Sequence, residues 1–379
     1  MGKIVLVVDG NLLARKSFYK FTKLATPVTV EELLLLSSKL GKSTQTKLEA
    51  MKKKAIEEED RIQEVVSEES GNTISVTTGG RIEKNIKKFS IANEKIKIPT
   101  GTLYGMLRSI VAATEKYDIG KVIICYDPIG LKKEPQMRNK KCNTYKNRKK
   151  DLSNEQKFFA SLELAISFFY KIGVMQVTST QYEADDIMQY FTHHLYRQEE
   201  CYVLTNDHDM YQLLVKGRVS LLKINTKVPV YTSEDFREEH RGLLAKRYNA
   251  VLTLAGCSTD NVKGVSGIGE AGAITLIKKF KTVPRVFSEY KSSKIEQRLK
   301  TALAKEEEKK LKNVKLSHFL VSLYGLSPKL RKDLKITKYK KTPKNRINRA
   351  EIFLKILNFK SLLTKSSMMA LERMINNQF

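Results

Sequence analysis

The chain has 379 residues, of which 41% are hydrophobic and 29% charged, and its formal net charge is +28. This length is enough to bury a core in one large domain or in two closely associated ones. No apolar stretch approaches the ~18 residues that a membrane span needs, and the strand-like start at Lys3 leaves no room for a signal peptide, so we expect a cytoplasmic protein.

Two further features of the composition bear on function. The positive charge favours a nucleic-acid partner, because counterion release from phosphates supplies affinity for any base sequence. Acidic membranes or acidic proteins are alternative explanations of the charge. The cysteines are widely spaced and contain no CxxC pair, which indicates neither a disulfide framework nor a zinc site and fits a reducing compartment. They are Cys125, Cys142, Cys201 and Cys257.

Short apolar runs alternate with helical patterns along the first 235 residues. The runs that predict strands are Lys3–Val8, Lys121–Tyr126, Cys201–Asn206 and Val219–Ile224. Helices are predicted from Pro99, after the basic loop 131–150 and from near Glu183, and the pattern is helical beyond about residue 237. This order predicts an α/β fold with a mostly parallel central sheet flanked by helices, over residues 1–235, followed by a helical subdomain over residues 236–379.

Several acidic residues stand where strands end. Asp9, Asp127 and Asp207 each follow or close a predicted strand, and ligands of open α/β sheets gather at the carboxyl ends of the strands. Further acids follow in Glu183-Ala-Asp185-Asp186, in Asp209 and in Asp260. So many carboxylates share one site only if some are protonated or if cations neutralise them.

Oxygen ligands of this kind suit Mg²⁺ or Mn²⁺, and two such ions about 4 Å apart activate a water and stabilise the leaving oxygen of a phosphodiester. The alternative for any single acid is a helix cap or a surface charge, which applies above all to Asp185 and Asp186 in the first turn of a helix. We expect the side chain of His208 to point away from its two acidic neighbours.

A glycine-rich segment, Gly264-Val-Ser-Gly267-Ile-Gly269-Glu-Ala-Gly272, contains a formal GxGxxG match. A dinucleotide site is disfavoured because the preceding segment, 258–263, is polar and turn-like rather than a strand. We predict instead a helix–hairpin–helix at about residues 256–280, in which glycines permit a tight turn and backbone N–H groups meet a phosphate. A plain glycine turn between helices is the alternative.

The motifs together resemble the flap endonuclease and 5′–3′ exonuclease superfamily, most closely its bacterial and bacteriophage branch. The matching segments are Val7-Val-Asp9-Gly-Asn, Ile124-Cys-Tyr-Asp127, Tyr182-Glu-Ala-Asp-Asp186, Leu204-Thr-Asn-Asp207-His-Asp209-Met-Tyr-Gln-Leu213, Gly256-Cys-Ser-Thr-Asp260-Asn, Gly264-Val-Ser-Gly-Ile-Gly269 and the closing residues Phe353 to Leu363. The resemblance implies a PIN-like nuclease core and a divalent-metal-dependent 5′ nuclease that acts on flaps, nicks or 5′ ends of DNA in replication or repair. The chain ends without the polymerase domain to which bacterial relatives are often fused, and a bacteriophage origin, with a location in the host cytoplasm, is compatible with that form.

The resemblance also implies residue roles. It assigns the first metal to Asp9, Asp127, Glu183, Asp185 and Asp186, and the second metal to Asp207, Asp209 and Asp260. Tyr145, Lys146 and Arg148 are similar to the family's arch motif, whose lysine and arginine contact the scissile phosphate and stabilise developing charge, while the tyrosine stacks on a terminal base. The remaining residues expected to bind DNA are Arg138, Lys140, Lys141, Lys149, Lys150, Lys263, Gly264, Gly267 and Gly269, with a K⁺ ion at the helix–hairpin–helix.

The chain departs from the family pattern in two places. Cys257 stands where bacterial relatives usually have an aspartate, and a thiol is a poor Mg²⁺ ligand, so we expect a weaker second site that favours Mn²⁺. An insertion at about residues 26–97 replaces a short loop. It either contacts DNA at the branch point or recruits a replication partner, or it is a solvated helical hairpin without such a role.

Two other functions stay open at this point. One alternative is a structure-specific DNA-binding protein with impaired catalysis, for which Cys257 is the hint. The other is a related nuclease that removes RNA primers from RNA–DNA hybrids. We expect a monomer in each case.

Overall fold

The computed structural model describes residues 4–29, 32, 36, 96–128, 136–146, 152–224, 227, 229–337 and 343–376. The chain divides into two compact units, the first formed by Met1–Asn11, Ile123–Lys149 and Val177–Ile336, and the second by Leu12–Val122, Lys150–Gln176 and Thr337–Phe379. The predicted domain boundary near residue 235 stays a prediction. Most of the predicted insertion at 26–97 lies outside the described residues.

The strands form a seven-stranded sheet and a two-stranded sheet. In chain order they are β1 (Ile4–Asp9), β2 (Ala25–Val28), β3 (Ile96–Pro99), β4 (Ile119–Cys125), β5 (Met175–Thr178), β6 (Cys201–Leu204), β7 (Val219–Leu222), β8 (Val230–Tyr231) and β9 (Lys335–Thr337). The larger sheet has the order β8-β7-β6-β1-β4-β5-β9, and β2 pairs with β3. β1 pairs with β6 and β6 with β7 in parallel, whereas β7 and β8 are antiparallel.

The central strand β1 shows why the apolar runs become buried strands. Its residues Val5 to Val8 are at most 2% exposed, so both faces of the strand are covered, as is usual in parallel sheets. Val8 is in register with Leu204 of β6. This register places the next residues of the two strands, Asp9 and Thr205, side by side at one edge of the sheet. The predicted mostly parallel α/β fold is thereby confirmed.

Among the described residues, helices begin close to the three predicted starts, at Gly101, Leu152 and Ala184, and a short helix at Met137–Lys141 lies within the segment predicted as a basic loop. The α-helices are α1 (Gly10–Lys20), α2 (Gly101–Tyr117), α3 (Met137–Lys141), α4 (Leu152–Lys171), α5 (Ala184–Tyr190), α6 (Ser233–Glu239), α7 (Tyr248–Ala255), α8 (Glu270–Phe280), α9 (Val283–Glu289), α10 (Gln297–Glu308), α11 (Lys312–Val321), α12 (Pro328–Asp333), α13 (Pro343–Ile356) and α14 (Lys365–Asn376). Short 3₁₀ turns occur at His208–Leu213, Ala245–Arg247, Ser258–Asp260 and Lys360–Leu362, and a π-helical turn at Phe191–Leu195. None of the helices within the described ranges has the length and apolarity that crossing a membrane requires.

Each unit has its own helix packing. In the first unit, α7 packs against α8 and α11, and α5 packs against β1. In the second unit, α2 packs against α4 and α14, and α13 packs against α4 and α14. The prediction that the chain is helical beyond about residue 237 is confirmed, except for the short strand β9, which local pattern did not indicate.

The glycine-rich turn joins α7 to α8, as the helix–hairpin–helix prediction requires. Gly256 and Gly264 have φ angles of +76° and +60°, which favour glycine. A Cβ on Gly264 would lie 2.4 Å from the backbone nitrogen of Gly256 and 2.6 Å from the carbonyl oxygen of Leu254. Glycine is therefore required here for two reasons, namely the left-handed backbone and the close approach of two chain segments.

We expect Gly264→Ala to destabilise the first unit strongly. The left-handed conformation alone costs about 1–2 kcal/mol, and the contact with backbone atoms raises the expected loss in the free energy of unfolding above about 3 kcal/mol. The matched control is Gly217→Ala. Gly217 also has a positive φ, +64°, but no heavy atom lies within 4 Å of the place that an added Cβ would occupy, so its loss should stay near ~1 kcal/mol. Equal losses for the two variants in urea unfolding would contradict the close approach.

Candidate metal centre

The ends of β1 and β6 bring two acidic segments together. Asp9 is 5% exposed, and its Oδ2 accepts a hydrogen bond of 2.9 Å from the hydroxyl of Thr205. The same hydroxyl oxygen accepts a bond of 3.1 Å from the backbone N–H of Asp207. Thr205 thus links a carboxylate of one strand to the backbone that carries the next.

Asp127 is held against the start of helix α5. Its Oδ1 accepts a hydrogen bond of 2.9 Å from the backbone N–H of Ala184, and its own N–H donates to Asn11 Oδ1 at 3.1 Å. The first N–H groups of a helix lack partners within the helix and favour negative charge. The contact therefore fixes the Asp127 carboxylate next to the segment that carries Asp185.

Electrostatic effects show that the acids act on one another. The pKa of the Asp185 carboxyl is raised well above its usual value by burial and by the charges of Asp207, Asp9 and Glu183, although Lys146 opposes the change. Burial and the charges of Asp9 and Asp185 likewise raise the pKa of the Cys125 thiol. Cys125 is a buried strand residue, as expected, and its high pKa disfavours a role as nucleophile.

A second group of potential ligands lies beside the first. Ligand atoms of Asp209, Cys257 and Asp260 lie within 4.8 Å of one another. Burial and the charges of Asp207 and Asp260 raise the pKa of Asp209 to about 7. Burial is also the main cause of the raised pKa of the Cys257 thiol, to which Asp209 and Asp260 contribute. A cation placed among these atoms would relieve this repulsion and favour the deprotonated ligands.

Seven acids therefore converge in the first unit, and we call them the acidic cluster: Asp9, Asp127, Glu183, Asp185, Asp207, Asp209 and Asp260. Their donor atoms are carboxylate oxygens, the ligands that Mg²⁺ and Mn²⁺ prefer, and the thiol of Cys257 lies beside Asp209 and Asp260. The donor set thus fits divalent cations. The assignment of individual residues to a first or a second metal stays a prediction.

Lys146 supplies a positive charge at the edge of the acidic cluster. Its Nζ lies 3.1 Å from Glu183 Oε2 and 3.8 Å from Asp260 Oδ2, while its side chain stays 37% exposed. Burial alone lowers the pKa of Lys146, but Glu183, Tyr145, Asp185 and Asp260 outweigh burial and raise it. The ammonium is therefore charged and reaches both the cluster and solvent.

The backbone around Lys146 is fixed to the loop that carries Asp260. The Lys146 N–H donates to the Asp260 carbonyl at 3.1 Å, and the Asn261 side chain donates to the Thr144 carbonyl at 2.9 Å. Lys146 itself has a φ of +50°, an unusual conformation for a residue with a side chain. Because such a conformation persists only when its surroundings enforce it, these bonds hold the lysine in place.

Asp186 requires a correction to the predicted ligand set. It is fully buried, and Arg138 donates to both of its oxygens, at 2.8 and 2.9 Å. The backbone N–H groups of Tyr324 and Glu183 donate to the same two oxygens at 2.7 and 3.1 Å. With these partners in place, the carboxylate serves as a structural partner of Arg138 and as part of the α5 capping box, not as a metal ligand.

Arg138 itself is the second correction, because the sequence placed it among the DNA-binding residues. It is 3% exposed. Besides Asp186, it contacts Glu183 Oε2 at 3.2 Å and donates to the carbonyls of Leu320 and Ser322 at 2.8 and 2.6 Å. A guanidinium with these partners lies in the interior and cannot contact a DNA backbone.

Tyr145 is the third correction. It is 4% exposed and donates its hydroxyl proton to Glu183 Oε2 at 3.1 Å. A buried ring in this position does not offer a face for a terminal base, so it positions Glu183 instead.

The other predicted DNA contacts fall into two groups. Lys140, Lys141, Lys263, Gly267 and Gly269 are exposed, and Gly264 is buried in the turn. Arg148, Lys149 and Lys150 lie outside the described residues. Contact with DNA stays a prediction for all the residues in these two groups. The ring of His208 is exposed and stacks on Tyr211 with centroids 5.2 Å apart.

Sequence reasoning missed two residues that organise this site. Thr205 follows strand β6 directly. A threonine between a predicted strand and Asp207 is a weak local signal for a hydroxyl that binds a neighbouring carboxylate. Asp333 accepts bonds from the N–H groups of Thr180 and Gln181, at 2.8 and 3.0 Å, in the loop before Glu183. It is more than 150 residues from its partners, and no pattern in the sequence indicates the contact.

Comparisons with known proteins agree with this geometry. A family model described as the 5′–3′ exonuclease, N-terminal resolvase-like domain, matches residues 85–241. The chain is 30% identical over 234 residues to a 5′–3′ exonuclease of Buchnera aphidicola subsp. Schizaphis graminum, which covers 61% of this chain and 77% of that protein. It is 32% identical over 191 residues to the 5′–3′ exonuclease of Bacillus subtilis strain 168, which covers 50% of this chain and 62% of that protein.

The fold is also similar to a solved structure, that of the bacteriophage T5 flap endonuclease in a pseudo-enzyme–product complex with DNA and metal ions. The TM-score is 0.53 at 15% identity, over 94% of this chain and 100% of that chain. This is a likeness of fold, and it extends the similarity beyond the segments matched in sequence.

The sheet, with carboxylates gathered at the ends of its parallel strands, places the chain in the PIN-like nuclease fold. The identity and coverage of the Buchnera match narrow the class further. The chain belongs to the 5′–3′ exonuclease family, within the flap endonuclease and 5′–3′ exonuclease superfamily, and this confirms the resemblance seen in its motifs.

The structural role of Arg138 leads to a prediction about stability. Arg138→Met leaves the buried Asp186 carboxylate without its counter-ion, and we expect a loss of about 3–5 kcal/mol in the free energy of unfolding. Adding Asp186→Asn removes the unpaired charge but keeps an oxygen acceptor, so the double variant should recover at least about 1 kcal/mol.

Urea unfolding in EDTA measures both effects without a contribution from bound metal. Arg285→Met is the matched control, since the Arg285–Glu289 pair is exposed, and it should leave the unfolding midpoint nearly unchanged. A double variant as unstable as Arg138→Met alone would show that charge pairing is not the source of the loss.

Proposed function

We propose that this chain hydrolyses phosphodiester bonds at 5′ flaps, nicks or 5′ ends of DNA, with divalent cations held by the acidic cluster. The observation that carries the proposal is the convergence of Asp9, Asp127 and Asp207, at neighbouring strand ends, with Asp185 in the first turn of α5. Mutually repelling carboxylates in one place are unfavourable unless cations bind there. Burial, with that repulsion added to it, raises the pKa of Asp185 and of Asp209. The relatives named 5′–3′ exonuclease support the same reaction class.

The ligands that we propose fall on the two sides of the acidic cluster. Asp9, Asp127, Glu183 and Asp185 would hold one ion, and Asp207, Asp209 and Asp260 the other. Mg²⁺ or Mn²⁺ bound there would supply an activated water and stabilise the leaving oxygen of the phosphodiester.

The remaining roles belong to side chains and backbone of the chain itself. The Lys146 side chain contacts the acidic cluster and is also partly exposed to solvent. Its ammonium can therefore donate to a phosphate oxygen of the substrate and stabilise negative charge on that oxygen. Arg138 and Tyr145 hold Glu183 from the interior. The glycine turn between α7 and α8 would bind the duplex through N–H groups at the start of α8, with K⁺ as an additional ligand of that turn.

Several finer points belong to the same proposal. DNA is the proposed substrate, and cleavage of RNA primers would use the same site, so only a comparison of substrates separates the two. We propose that the chain acts as a monomer in a cytoplasm. The insertion at 26–97 remains the proposed contact for a branch point or a replication partner.

We expect Mg²⁺- or Mn²⁺-dependent release of a product from a 5′-labelled flap, and loss of at least about 100-fold in kcat for Asp185→Ala. The comparison control is Glu155→Ala, whose side chain pairs with Arg15 in the second unit and should retain activity. A panel of 5′-flap, nicked, blunt and RNA-primed substrates then gives the preferred substrate. Tight binding of flaps without cleavage in either metal would instead support the DNA-binding protein with impaired catalysis.

The thiol of Cys257 predicts an unusual metal preference. Sulfur is a poor ligand for Mg²⁺ and a better one for softer ions, so the native chain should need a higher Mg²⁺ than Mn²⁺ concentration for half-maximal rate. Cys257→Asp should lower the Mg²⁺ requirement by roughly tenfold. Cys142→Asp, a change of the same kind at a partly exposed site, serves as the control. Identical metal requirements before and after Cys257→Asp would show that the thiol is not a ligand.

A further inference from the structure

Side chains determine the conformation of the segment between β5 and α5, residues 179–183. Five consecutive backbone N–H groups, those of residues 180 to 184, donate to side-chain oxygens. The acceptors are the carboxylates of Asp333, Asp186 and Asp127 and the hydroxyl of Ser179. Because backbone N–H groups inside a protein need a partner, the positions of these acceptors fix the path of the segment. That path leads directly into Glu183 and Asp185.

Asp333 lies outside the acidic cluster and yet binds the segment that leads into it. Asp127 belongs to the cluster, and Asp186 pairs with the buried Arg138. Asp333 is the last residue of helix α12 and belongs, like the segment 179–183, to the first unit. Its side chain is partly buried.

The Asp333 carboxylate binds three consecutive residues. Its Oδ2 accepts from the N–H groups of Thr180 and Gln181, at 2.8 and 3.0 Å, and from the hydroxyl of Ser179. Its Oδ1 accepts from the Thr180 hydroxyl at 2.6 Å. The Ser179 oxygen in turn accepts from the N–H of Tyr182 at 2.9 Å. One carboxylate therefore orders the segment up to the residue that precedes the first proposed ligand.

The charge of Asp333 strengthens these contacts. Burial raises the pKa of its carboxyl, but the bonds from Ser179, Thr180 and Gln181 outweigh burial and hold the pKa below its usual value. The group is therefore ionised at neutral pH. Hydrogen bonds to an ionised acceptor are about twice as strong as those between neutral groups, so the segment is held more firmly than a neutral acceptor would hold it.

The same segment also supports helix α3. The carbonyl of Gln181 accepts from the N–H of Met137 at 3.1 Å, and its side-chain oxygen accepts from Lys140 Nζ at 2.9 Å. Met137 begins α3, and the next residue is Arg138, which contacts Glu183. A shift of Gln181 would therefore reach Glu183 by two routes, along the segment and through α3.

We propose that Asp333 is a positioning residue of the metal centre, which fixes residues 179–182 so that Glu183 and Asp185 bind a cation at the start of α5. It acts through the backbone of the segment and not as a ligand. Removing a hydrogen-bond partner of metal ligands lowers metal affinity by roughly 10–100-fold. Asp333 acts one step further from the ligands, so we expect the lower end of that range. The inference rests on the proposed function, since it assumes that Glu183 and Asp185 are ligands.

The test measures Mn²⁺ binding to the protein without DNA, by the electron paramagnetic resonance signal of free Mn²⁺. We expect Asp333→Ala to weaken the binding of at least one Mn²⁺ by roughly tenfold, because the segment no longer holds Glu183 and Asp185 in place. In cleavage assays the Mg²⁺ concentration for half-maximal rate should rise by a similar factor. The KM for a flap at saturating Mg²⁺ should stay within about twofold of the native value, since the ligands and the DNA contacts are all still present.

Asp333→Asn separates hydrogen bonding from charge. Its amide oxygen can accept from the two backbone N–H groups in the place of Oδ2, and its amide N–H can donate to the Thr180 hydroxyl oxygen. We expect this variant to bind Mn²⁺ within about threefold of the native chain. Equal weakening by Asp333→Asn and Asp333→Ala would show attraction between distant charges instead of positioning, and would overturn the proposal.

Glu306→Ala is the matched control. Glu306 is buried in the first unit, and its Oε1 accepts from the N–H groups of Asn313 and Val314 at 2.8 and 3.3 Å. It thus holds the start of α11 as Asp333 holds the segment before α5. Its loss should lower stability in urea unfolding with EDTA but leave Mn²⁺ affinity within about twofold. If Glu306→Ala weakens Mn²⁺ binding as much as Asp333→Ala does, general destabilisation explains both and the proposal fails.

The outcomes separate this proposal from the proposed function. A native chain that neither binds Mn²⁺ nor cleaves a flap would refute both. A native chain that does both, with unchanged Mn²⁺ affinity in Asp333→Ala, would refute the role of Asp333 alone.

A second variant applies if Asp333→Ala does not fold, as judged by circular dichroism. Ser179→Ala removes the acceptor of the Tyr182 N–H and one donor to Asp333, and it should weaken Mn²⁺ binding by roughly threefold or more. Unchanged Mn²⁺ affinity in Ser179→Ala would then overturn the proposal.

Discussion

Repulsion between carboxylates at the ends of parallel strands is the constraint on which the site depends. Asp9 is part of β1, and β6 leads directly into the segment that carries Asp207. Because β1 and β6 pair in parallel, the sheet brings the charges of these two residues together. The protein meets this repulsion in two ways. Lys146 and Arg138 balance the charges of Glu183 and Asp186 from within. Burial and neighbouring charges raise the pKa of Asp185 and of Asp209, and a bound cation would stabilise the charged form of both.

The internal cations also tie separate segments into one frame. Arg138 joins helix α3 to the start of α5 and to carbonyls at the C-terminal end of α11. A buried ion pair contributes little net stability compared with apolar residues of the same size, but it enforces one arrangement because breaking it is costly. We infer that the Arg138–Asp186 pair serves to place Glu183 and the N-terminus of α5, and with them the ligands on either side.

The cations behind the net charge of +28 differ in whether an acid of the protein neutralises them. Some cations are used inside the first unit, where they balance acids, and some exposed ones are paired with glutamates, as in Arg285–Glu289, Lys291–Glu307 and Arg298–Glu296. Composition therefore indicates a polyanionic partner correctly, but only local pairing tells which lysines are available to it.

The sequence by itself determined the alternation of strands and helices, the acids at strand ends and the glycine turn before α8, because each depends on periodicity or on a residue's intrinsic backbone preference over a few positions. Only the tertiary structure decided that Asp186 pairs with Arg138, that Tyr145 is buried, and that Asp333 binds the loop before Glu183. These features join residues separated by tens of positions, and a local pattern carries no information about which distant charge will occupy a carboxylate.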